Sequence, residues 1–356
     1  MSVPTDLRIP VSNGTVQVSI IDTEARIRLP LSGFTQPQIE GHTHLDAPTY
    51  SFLIEHPRHG KNSLRYGHTQ RLAEPCARDK TQKDVIDVLE EHGIDAAEIK
   101  SVIWSHWHCD HVGNTTRLPI STELVIGAGF LQTMTPGYPT NPSSLFLESD
   151  YKGREVREID FSTHPNSLKI GAFSAVDFFG DGSFYLLSTP GHAIGHICGL
   201  ARITPNSFIL TDRDASHHSG ELQPSPFLPL PDSVEPSPYS SPPFQLGTFC
   251  PGALIQEMAH PLRSRTKPFY ELAPTGMPTF ELETAQKTVE ELGEFDGDDN
   301  VFVVIAHDAK LKEVVDFFPK PANAWMDKGW KGMSSCRFLA DFAGAVRSDD
   351  ASQTLY

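Results

Sequence analysis

The chain has 356 residues, of which 38% are hydrophobic and 21% charged, with 26 glycines and 29 prolines. This composition is typical of a globular protein with a sizeable core, and it excludes a disordered or collagen-like chain. The 45 acidic residues outnumber the 29 basic ones, which gives a net charge of −16. A field of that sign repels phosphate backbones and anionic lipid. We therefore expect a small-molecule partner and neither nucleic acid nor a membrane surface.

The N-terminal sequence MSVPTDLRIPVSNG lacks the basic and apolar regions of a secretory signal. No run of about 18 apolar residues is present, so the sequence predicts no membrane span. The five cysteines are odd in number and far apart, which does not favour a disulfide framework. We therefore expect a reduced, soluble protein of the cytoplasm.

The predicted elements of the first half lead into a histidine-rich loop. Residues rich in β-branched and aromatic side chains predict strands over 16–23 and 50–55, with a polar loop between them. Residues 82–92 place apolar side chains at helical spacing, and Gly93 suits the end of that helix. An apolar strand predicted over 101–105 then runs directly into HWHCDH. This order is typical of a site at the carboxyl edge of a sheet.

The second half repeats the alternation of strand and polar motif. A strand is predicted over 184–188, and residues 196–203 and 207–211 predict a hairpin. Residues 281–293 predict an amphipathic helix, and 301–306 an apolar strand that ends at a histidine. Two strand-rich halves that each deliver polar side chains predict a pseudo-duplicated sandwich.

The proline-rich stretch 222–280 is interpreted as an irregular insertion or lid within a single domain of residues 1–356. Binding residues gather on loops over a rigid scaffold, so this stretch and 24–48 are expected to form the pocket walls. Aromatic side chains in the insertion favour either an apolar substrate or packing of the insertion onto the body of the protein: Phe227, Phe244, Phe249, Phe269 and Tyr270.

The HWHCDH motif carries side chains that suit a metal. Imidazole nitrogens and carboxylate oxygens are ligands of zinc and similar divalent ions. His106 and His108, two apart on extended backbone, can point to the same side and bind one ion. Asp110 and His111 follow after a turn and face a neighbouring position. One loop could therefore serve two metal ions about 3.5–4 Å apart, as in two-metal hydrolases.

The later motifs supply further candidate ligands. His192, in STPGHAIGH, is the natural third nitrogen ligand, and His307 ends the most apolar strand. His196 is expected to support the ligands without binding the metal itself. A bridging carboxylate could come from Asp212 or from Asp214, because the two point the same way on extended backbone. The spacing leaves that choice open.

Together, HWHCDH, STPGHAIGH, ILTDRDASHH and FVVIAHD resemble the motifs of the metallo-β-lactamase superfamily. The likeness is closest to its binuclear N-acyl homoserine lactonases and their fungal lactonase and lactamase relatives. The resemblance implies an α/β fold, the αββα metallo-β-lactamase sandwich, with two zinc ions at the edge between the sheets. It also implies a ligand set: His106, His108 and His192 on one ion, Asp110, His111 and His307 on the other, and Asp214 between them. Asp212 is then expected to lie behind the ligands, with His196.

The implied function is hydrolysis of a small lactone or lactam, either a xenobiotic or a signalling compound. Two zinc ions would lower the pKa of a bridging water, and the resulting hydroxide would attack the carbonyl carbon. Asp110 and His217 are the candidate catalytic residues that neutralise or protonate the leaving group. His217 stands where homoserine lactonases often place a tyrosine, and a packing role for it is equally open.

Other activities are open within the same family. The motifs do not separate ester, amide and thioester hydrolysis, so a glyoxalase II-like or polyketide thioesterase-like enzyme is an alternative. Di-iron redox relatives usually carry a glutamate at the position of His108, which favours hydrolysis here. A metal-binding protein without activity would need a broken ligand set, yet all seven ligand positions are filled.

Overall fold

The computed structural model describes residue 3 and residues 5–64, 83–144, 146–239, 249–274 and 279–346. Within this part of the chain, sixteen strands follow one another: β1 Gln17–Pro30, β2 Thr35–Gln36, β3 His44–His56, β4 Gly60–Leu64, β5 Ile99–Ile103, β6 Glu123–Gly127, β7 Val156–Ile159, β8 Ser167–Ile170, β9 Phe173–Asp177, β10 Phe184–Ser188, β11 Ile197–Thr204, β12 Ser207–Asp212, β13 Ser233–Val234, β14 Cys250–Pro251, β15 Glu271–Leu272 and β16 Val301–Ile305.

The helices are short apart from one. They are α1 Val85–Glu91, α2 Cys109–Val112, α3 Phe130–Met134, α4 Glu148–Tyr151, α5 Gly252–Met258, α6 Leu282–Gly297 and α7 Trp330–Ser334. Among the helices of the described residues, none has both the length and the apolar character that crossing a bilayer requires.

Twelve of the strands form two six-stranded sheets. The first has the order β1-β3-β4-β5-β6-β7 and the second the order β16-β12-β11-β10-β9-β8. Strands β4 to β7 are parallel, as are β12 and β16, whereas β10 and β12 are each antiparallel to β11 between them. Strands β10, β12 and β16 therefore run in one direction, and their carboxyl ends lie at one edge of the second sheet.

Strand periodicity explains how the sheets stack. Successive side chains on a strand point to opposite faces, so Ile103 of β5 enters the core between the sheets while Val102 faces the outer layer. In the second sheet, Leu186 of β10 likewise enters the core between the sheets, and Leu187 faces the outer layer. Full burial of one such aliphatic side chain contributes roughly 1.5–3 kcal/mol, and this double-sided burial requires a layer on each outer face.

Helices supply those outer layers. Leu89 of α1 packs on the first sheet, and Leu292 of α6 packs on the second. The Asp84 carboxylate accepts hydrogen bonds at the start of α1, and Gly93 follows its end with φ of 80°. The order of layers is helix, sheet, sheet, helix, and the αββα sandwich predicted from the sequence is confirmed.

The predicted elements of the second half closely match the observed ones. Strand β10 has the predicted bounds, the hairpin is β11 and β12, and helix α6 extends four residues beyond the predicted 281–293. In the first half the predicted strands are too short. Strand β1 continues to Pro30 and β3 begins at His44, because the two strands pair as far as that end. Pairing between β1 and β3 therefore extends both strands into a segment whose local composition is typical of a loop.

The described residues of the proline-rich insertion, 222–239, 249–274 and 279–280, contain little regular structure: the pairs β13–β14 and β15–β2 and the helix α5. Leu230, Ile255 and Phe269 are buried there together with Phe338 and Phe342. The last two belong to a 3₁₀ turn over Arg337–Phe342. The insertion is therefore held by an apolar cluster that it shares with Leu31, Phe34 and Leu45 and with the C-terminal segment.

Gly127 and Gly195 bring the two halves into backbone contact. Gly127 ends β6, and Gly195 lies in the loop that carries His192 and His196. A Cβ atom on Gly127 would lie 1.9 Å from the Gly195 carbonyl oxygen. Gly195 has φ of 69°, a region that L side chains rarely adopt. The position of the His192 loop thus depends on a glycine in the opposite sheet.

We expect Gly127→Ala to lower the free energy of unfolding by about 2–3 kcal/mol, because two backbones must separate to admit the methyl group. The Gly332→Ala variant is the matched control. An added Cβ at Gly332, within α7, meets nothing within 4 Å, so the change should be neutral or stabilising. Chemical denaturation of both variants measures the difference. Equal stability of the two variants would contradict the role of the Gly127 contact.

Candidate metal centre

Four ligand-bearing segments meet at one edge of the sandwich. They follow the carboxyl ends of strands β5, β10, β12 and β16, and carry His106, His192, Asp214 and His307 respectively. Hydrogen bonds join the two sheets here: the Ile197 amide donates to the Ser105 carbonyl at 2.9 Å, and the Tyr50 amide donates to the Ala306 carbonyl at 3.1 Å.

The first group of candidate ligands is His106, His108, His192 and Asp214. All four are buried, and their ligand atoms lie within 4.8 Å of one another. The Nε2 atom of His192 is 3.0 Å from Nδ1 of His108, and the rings of His106 and His108 are 4.6 Å apart. Three imidazoles and one carboxylate therefore converge on one point.

The second group is Asp110, His111, Asp214 and His307, again with ligand atoms within 4.8 Å of one another. The Oδ2 atom of Asp110 lies 3.1 Å from Nε2 of His111 and 3.6 Å from Nε2 of His307. The Asp110 side chain is 21% exposed, whereas those of the two histidines are buried. Asp110 therefore faces the accessible side of the group.

The two oxygens of Asp214 face different groups. Its Oδ2 atom is 3.5 Å from Nε2 of both His106 and His192. Its Oδ1 atom is 3.0 Å from Nε2 of both His111 and His307. The arrangement has the geometry of a carboxylate between two metal positions.

Asp212 and His196 lie away from this convergence. The Asp212 carboxylate accepts hydrogen bonds from the Ser216 hydroxyl and, at 3.7 Å, from the Cys198 thiol. The Nδ1 atom of His196 is 2.9 Å from the Thr189 carbonyl oxygen, and its ring is 5.1 Å from that of His106. The structure thus places both residues behind the ligand groups.

Hydrogen bonds orient two of the candidate ligands. Nδ1–H of His307 donates to the Pro48 carbonyl oxygen at 2.7 Å, which leaves Nε2 of that ring as the free lone pair. Nδ1 of His106 lies 3.1 Å from the Ser105 hydroxyl. Neither Ser105 nor Pro48 was identified from the sequence. Ser105 directly precedes the motif and could have been considered, whereas Pro48 belongs to a distant strand.

The donor set fits a divalent metal. Nε2 of His106 and Oδ1 of Asp214 are buried and make no hydrogen bond within the described residues, although each lies 3.0–3.5 Å from other polar atoms of the centre. A buried polar atom without a hydrogen bond costs about 1–3 kcal/mol. A bound cation would satisfy both atoms, and nitrogen and oxygen donors are those that zinc prefers.

The charges of the second group favour a cation between its members. Burial alone would lower the pKa of His111, but the Asp110 and Asp214 carboxylates outweigh it and raise that pKa to about 10. Burial opposes ionisation of Asp110 as well, and the neighbouring His111 lowers its pKa to about 2. The carboxylates remain ionised and stabilise positive charge at this position.

His217 lies against both ligand groups. Its Nε2 atom is 3.9 Å from Oδ2 of Asp214, and its ring is 5.2 Å from that of His192. Burial lowers the pKa of His217 to about 4, so the ring is neutral near pH 7. A neutral imidazole holds no extra proton to give to a leaving group, so this pKa favours a hydrogen-bonding role for His217. Glu221, which the sequence analysis did not identify, touches this ring; its spacing four residues after His217 was the available signal.

A third group of potential ligands comprises His42, His218 and Asp341. The polar atoms of this group already have protein partners. Nζ of Lys310 contacts Oδ1 of Asp341 at 2.7 Å, and the Gly220 amide donates to Nδ1 of His218 at 3.0 Å. The group is a hydrogen-bonded network, in contrast to the two groups that share Asp214.

The cysteines agree only in part with the expectation of a reduced protein. Cys198, Cys250 and Cys336 are free and buried. Cys109, inside the HWHCDH motif, is disulfide-bonded. The expectation of a fully reduced chain is therefore wrong at Cys109, because an odd number of cysteines excludes complete pairing but not a single bridge.

A cavity of about 520 Å³ lies between the insertion and helix α6, and none of the candidate metal ligands lines it. The insertion contributes Phe227, Phe269 and Tyr270 to its lining, and Glu221 also lines it. Phe249 is instead 48% exposed, and Phe244 lies outside the described residues. Of the aromatic side chains of the insertion, Phe227 lines this cavity and Phe249 is exposed. Phe269 and Tyr270 line the cavity and also belong to the apolar cluster.

Comparison with known proteins identifies relatives over nearly the whole chain, although no protein-family model matches it. Gamma-lactamase FDB1 of Fusarium pseudograminearum is 40% identical over 360 residues, which cover 95% of this chain and 85% of that protein. Metallo-hydrolase mfmC of Annulohypoxylon moriforme is 40% identical over 365 residues, which cover 98% of this chain and 93% of that protein.

The fold is shared with a bacterial enzyme of known structure. AiiA from B. thuringiensis, solved with N-decanoyl-L-homoserine bound at its active site, superposes with a TM-score of 0.55 and 16% identity. The match covers 86% of this chain and 99% of that one. By its motifs, its layers and its relatives, the chain belongs to the lactonase- and lactamase-type metallo-hydrolases of the metallo-β-lactamase superfamily.

Proposed function

We propose that this protein is a binuclear zinc hydrolase that opens a small cyclic ester or amide. The observation that carries the proposal is the placement of Asp214, whose two carboxylate oxygens face two separate groups of ligands. One ion would be held by His106, His108 and His192, the other by Asp110, His111 and His307, with Asp214 shared between them. Six nitrogen and oxygen donors around one shared carboxylate match the needs of a two-metal site.

Bound at these residues, two zinc ions would activate a water molecule and polarise the carbonyl group of the substrate. Side chains of the protein would carry out the proton transfers. Asp110 is the partly exposed member of its group, so Oδ2 can take the proton of the attacking water. The same carboxyl group can then return that proton to the alkoxide or amide nitrogen that leaves when the ring opens.

His217 would stabilise charge that develops during ring opening. Its ring is neutral and its Nε2 atom faces the centre. From there an N–H group can donate a hydrogen bond to the substrate oxygen or to the departing atom. The imidazole is fixed between Phe34, at 4.9 Å between ring centroids, and His192, so little ordering is required when substrate binds.

The relatives support the reaction class. The Fusarium protein is named as a γ-lactamase and the Annulohypoxylon protein as a metallo-hydrolase. We further propose that residues 222–280 act as the lid of a single catalytic domain, supported by Tyr270, whose ring packs against that of His218, the residue next to His217.

A substrate panel tests the proposal. Zinc-reconstituted protein is assayed on γ-lactones, γ-lactams, cyclic carbamates and acyl thioesters, with ring opening followed by chromatography. We expect turnover of lactones together with lactams or carbamates. Intact ring substrates alongside rapid thioester cleavage would overturn the reaction class, and no turnover of any member would overturn the proposed activity.

We expect His217→Phe to lower kcat/KM about 10–100-fold on lactams and less on lactones, because nitrogen is the poorer leaving group and gains more from a hydrogen-bond donor. The matched control is His218→Gln, since His218 faces Asp341 and not the metal groups. Steady-state kinetics on one lactone and one lactam of the same ring size compare the two. Equal losses on both substrates would reject the selective role of His217.

A further inference from the structure

Glu221 is buried directly behind His217. It ends the 3₁₀ turn Ser219–Glu221 and is 1% exposed. The backbone N–H of His217 donates to Oε2 of Glu221 at 2.9 Å. The carboxyl group is thereby fixed to the chain at the residue whose ring enters the candidate metal centre.

The second oxygen of Glu221 faces the ring. Its Oε1 atom is 4.0 Å from Nδ1 of His217, and both atoms are buried without a hydrogen bond within the described residues. Buried polar atoms are rarely left unpaired, because each one loses its hydration without replacement. Oε1 and Nδ1 therefore face each other as a pair, and no hydrogen-bond partner of either atom is present among the described residues.

The opposite side of the ring faces the reaction centre. Nε2 of His217 is 3.9 Å from Oδ2 of Asp214. The ring lies nearly parallel to that of His307, with 5° between the planes, and the contacts with Phe34 and His192 restrict its tilt. Packing therefore sets the plane of the ring, but it does not decide which nitrogen carries the proton.

We propose that Glu221 is the positioning residue of His217: its carboxyl group donates a hydrogen bond from Oε1 to Nδ1 and so presents Nε2–H to the substrate. The assignment rests on the proposed function for its catalytic consequence, and on the contacts above for its geometry. Burial raises the pKa of Glu221 well above its ordinary range, which agrees with a neutral carboxyl group. Oε2 accepts the backbone N–H, so Oε1 carries the proton.

Two variants separate positioning from packing. Glu221→Gln keeps the shape, accepts the His217 backbone N–H with its carbonyl and donates to Nδ1 with its amide. Glu221→Leu removes both hydrogen bonds at similar volume. Loss of a supporting hydrogen bond of this kind costs about 10–100-fold in activity, so we expect Glu221→Leu to lower kcat by that factor with a KM change below about threefold. Glu221→Gln should restore most of the loss.

A double-mutant cycle supplies the internal control. In the His217→Phe background, Glu221→Leu should cause no further loss, because the ring that it positions is absent. Metal content, measured by elemental analysis, should equal that of the parent protein in all variants. Additive losses, or an equal loss in Glu221→Gln and Glu221→Leu, would overturn the proposal.

A readout without substrate keeps this inference distinct from the proposed function. In protein labelled with ¹⁵N-histidine, the ring signals missing from His217→Phe identify His217. We expect them to show an unprotonated Nδ1 and a protonated Nε2 in the parent protein and in Glu221→Gln. In Glu221→Leu they should shift or exchange between tautomers. Unchanged signals in Glu221→Leu would overturn the role of Glu221, whether or not any lactone or lactam is hydrolysed.

Discussion

Replacing Asp214 by asparagine is expected to remove metal from both positions and to lower kcat/KM more than about a thousandfold, since residues behind metal ligands already cost 10–100-fold. The physical reason is the shared carboxylate. Oδ2 lies 3.5 Å from two histidines of one group, and Oδ1 lies 3.0 Å from two histidines of the other. An amide has one oxygen and no charge, so it cannot serve both. Elemental analysis and steady-state kinetics measure the two effects.

Asp212→Asn is the matched control for that variant. Asp212 is two residues away and equally buried, but its carboxylate contacts the Ser216 hydroxyl and the Cys198 thiol. Asparagine preserves its volume, its carbonyl oxygen accepts one of these two hydrogen bonds, and its amide group can donate to the other partner, because a hydroxyl or a thiol also accepts. We expect near-normal metal content and activity losses below about tenfold. The reverse result would mean that Asp212, and not Asp214, joins the two groups.

Removal of metal should abolish activity and destabilise the fold. We expect about two zinc ions per chain after reconstitution, in line with two groups of ligands. Chelation should eliminate turnover, and zinc should restore it. At free zinc about 1,000 times the dissociation constant, a single site stabilises the folded state by about 4 kcal/mol, which thermal unfolding detects. Within the described residues, Nε2 of His106 and Oδ1 of Asp214 make no hydrogen bond, and bound ions would supply a partner for each.

The outcomes that contradict this prediction are specific. One ion per chain after reconstitution would reject the binuclear centre while leaving a mononuclear enzyme. Full activity after removal of metal to below about 0.1 ion per chain would reject metal-dependent hydrolysis of this substrate altogether. A sample of the same protein carried through the procedure without the chelator reports losses caused by the handling itself.

Much of the fold could be predicted from local patterns. The strand β10, the hairpin β11–β12 and helix α6 appear where alternation and helical spacing indicate them, because each of these segments buries a face with a clear period. The start of β3 at His44 could not be predicted locally. Its first residues, 44–49, mix polar and apolar side chains around a proline, and pairing with the distant β1 makes them a strand.

The candidate ligands show the same division. HWHCDH, read alone, identifies four donors, because closely spaced histidines and an aspartate after an apolar strand are a strong signal. The choice between Asp212 and Asp214 came from resemblance to a family and not from spacing. The structure separates them because the chain turns after β12, which places one carboxylate toward Ser216 and the other between the ligand groups.

By itself, then, the sequence determined the donor types and the segments that carry them, since these follow from hydrophobic period and from the coordination chemistry of imidazole and carboxylate. The order of the layers was implied by the resemblance to a family. Only the tertiary structure decided which oxygen of Asp214 faces which group, that Pro48 orients His307, and that Glu221 lies against His217. Pro48 and His307 are 259 positions apart along the chain. Contacts between such distant residues depend on how the two sheets stack, and no local pattern records that stacking.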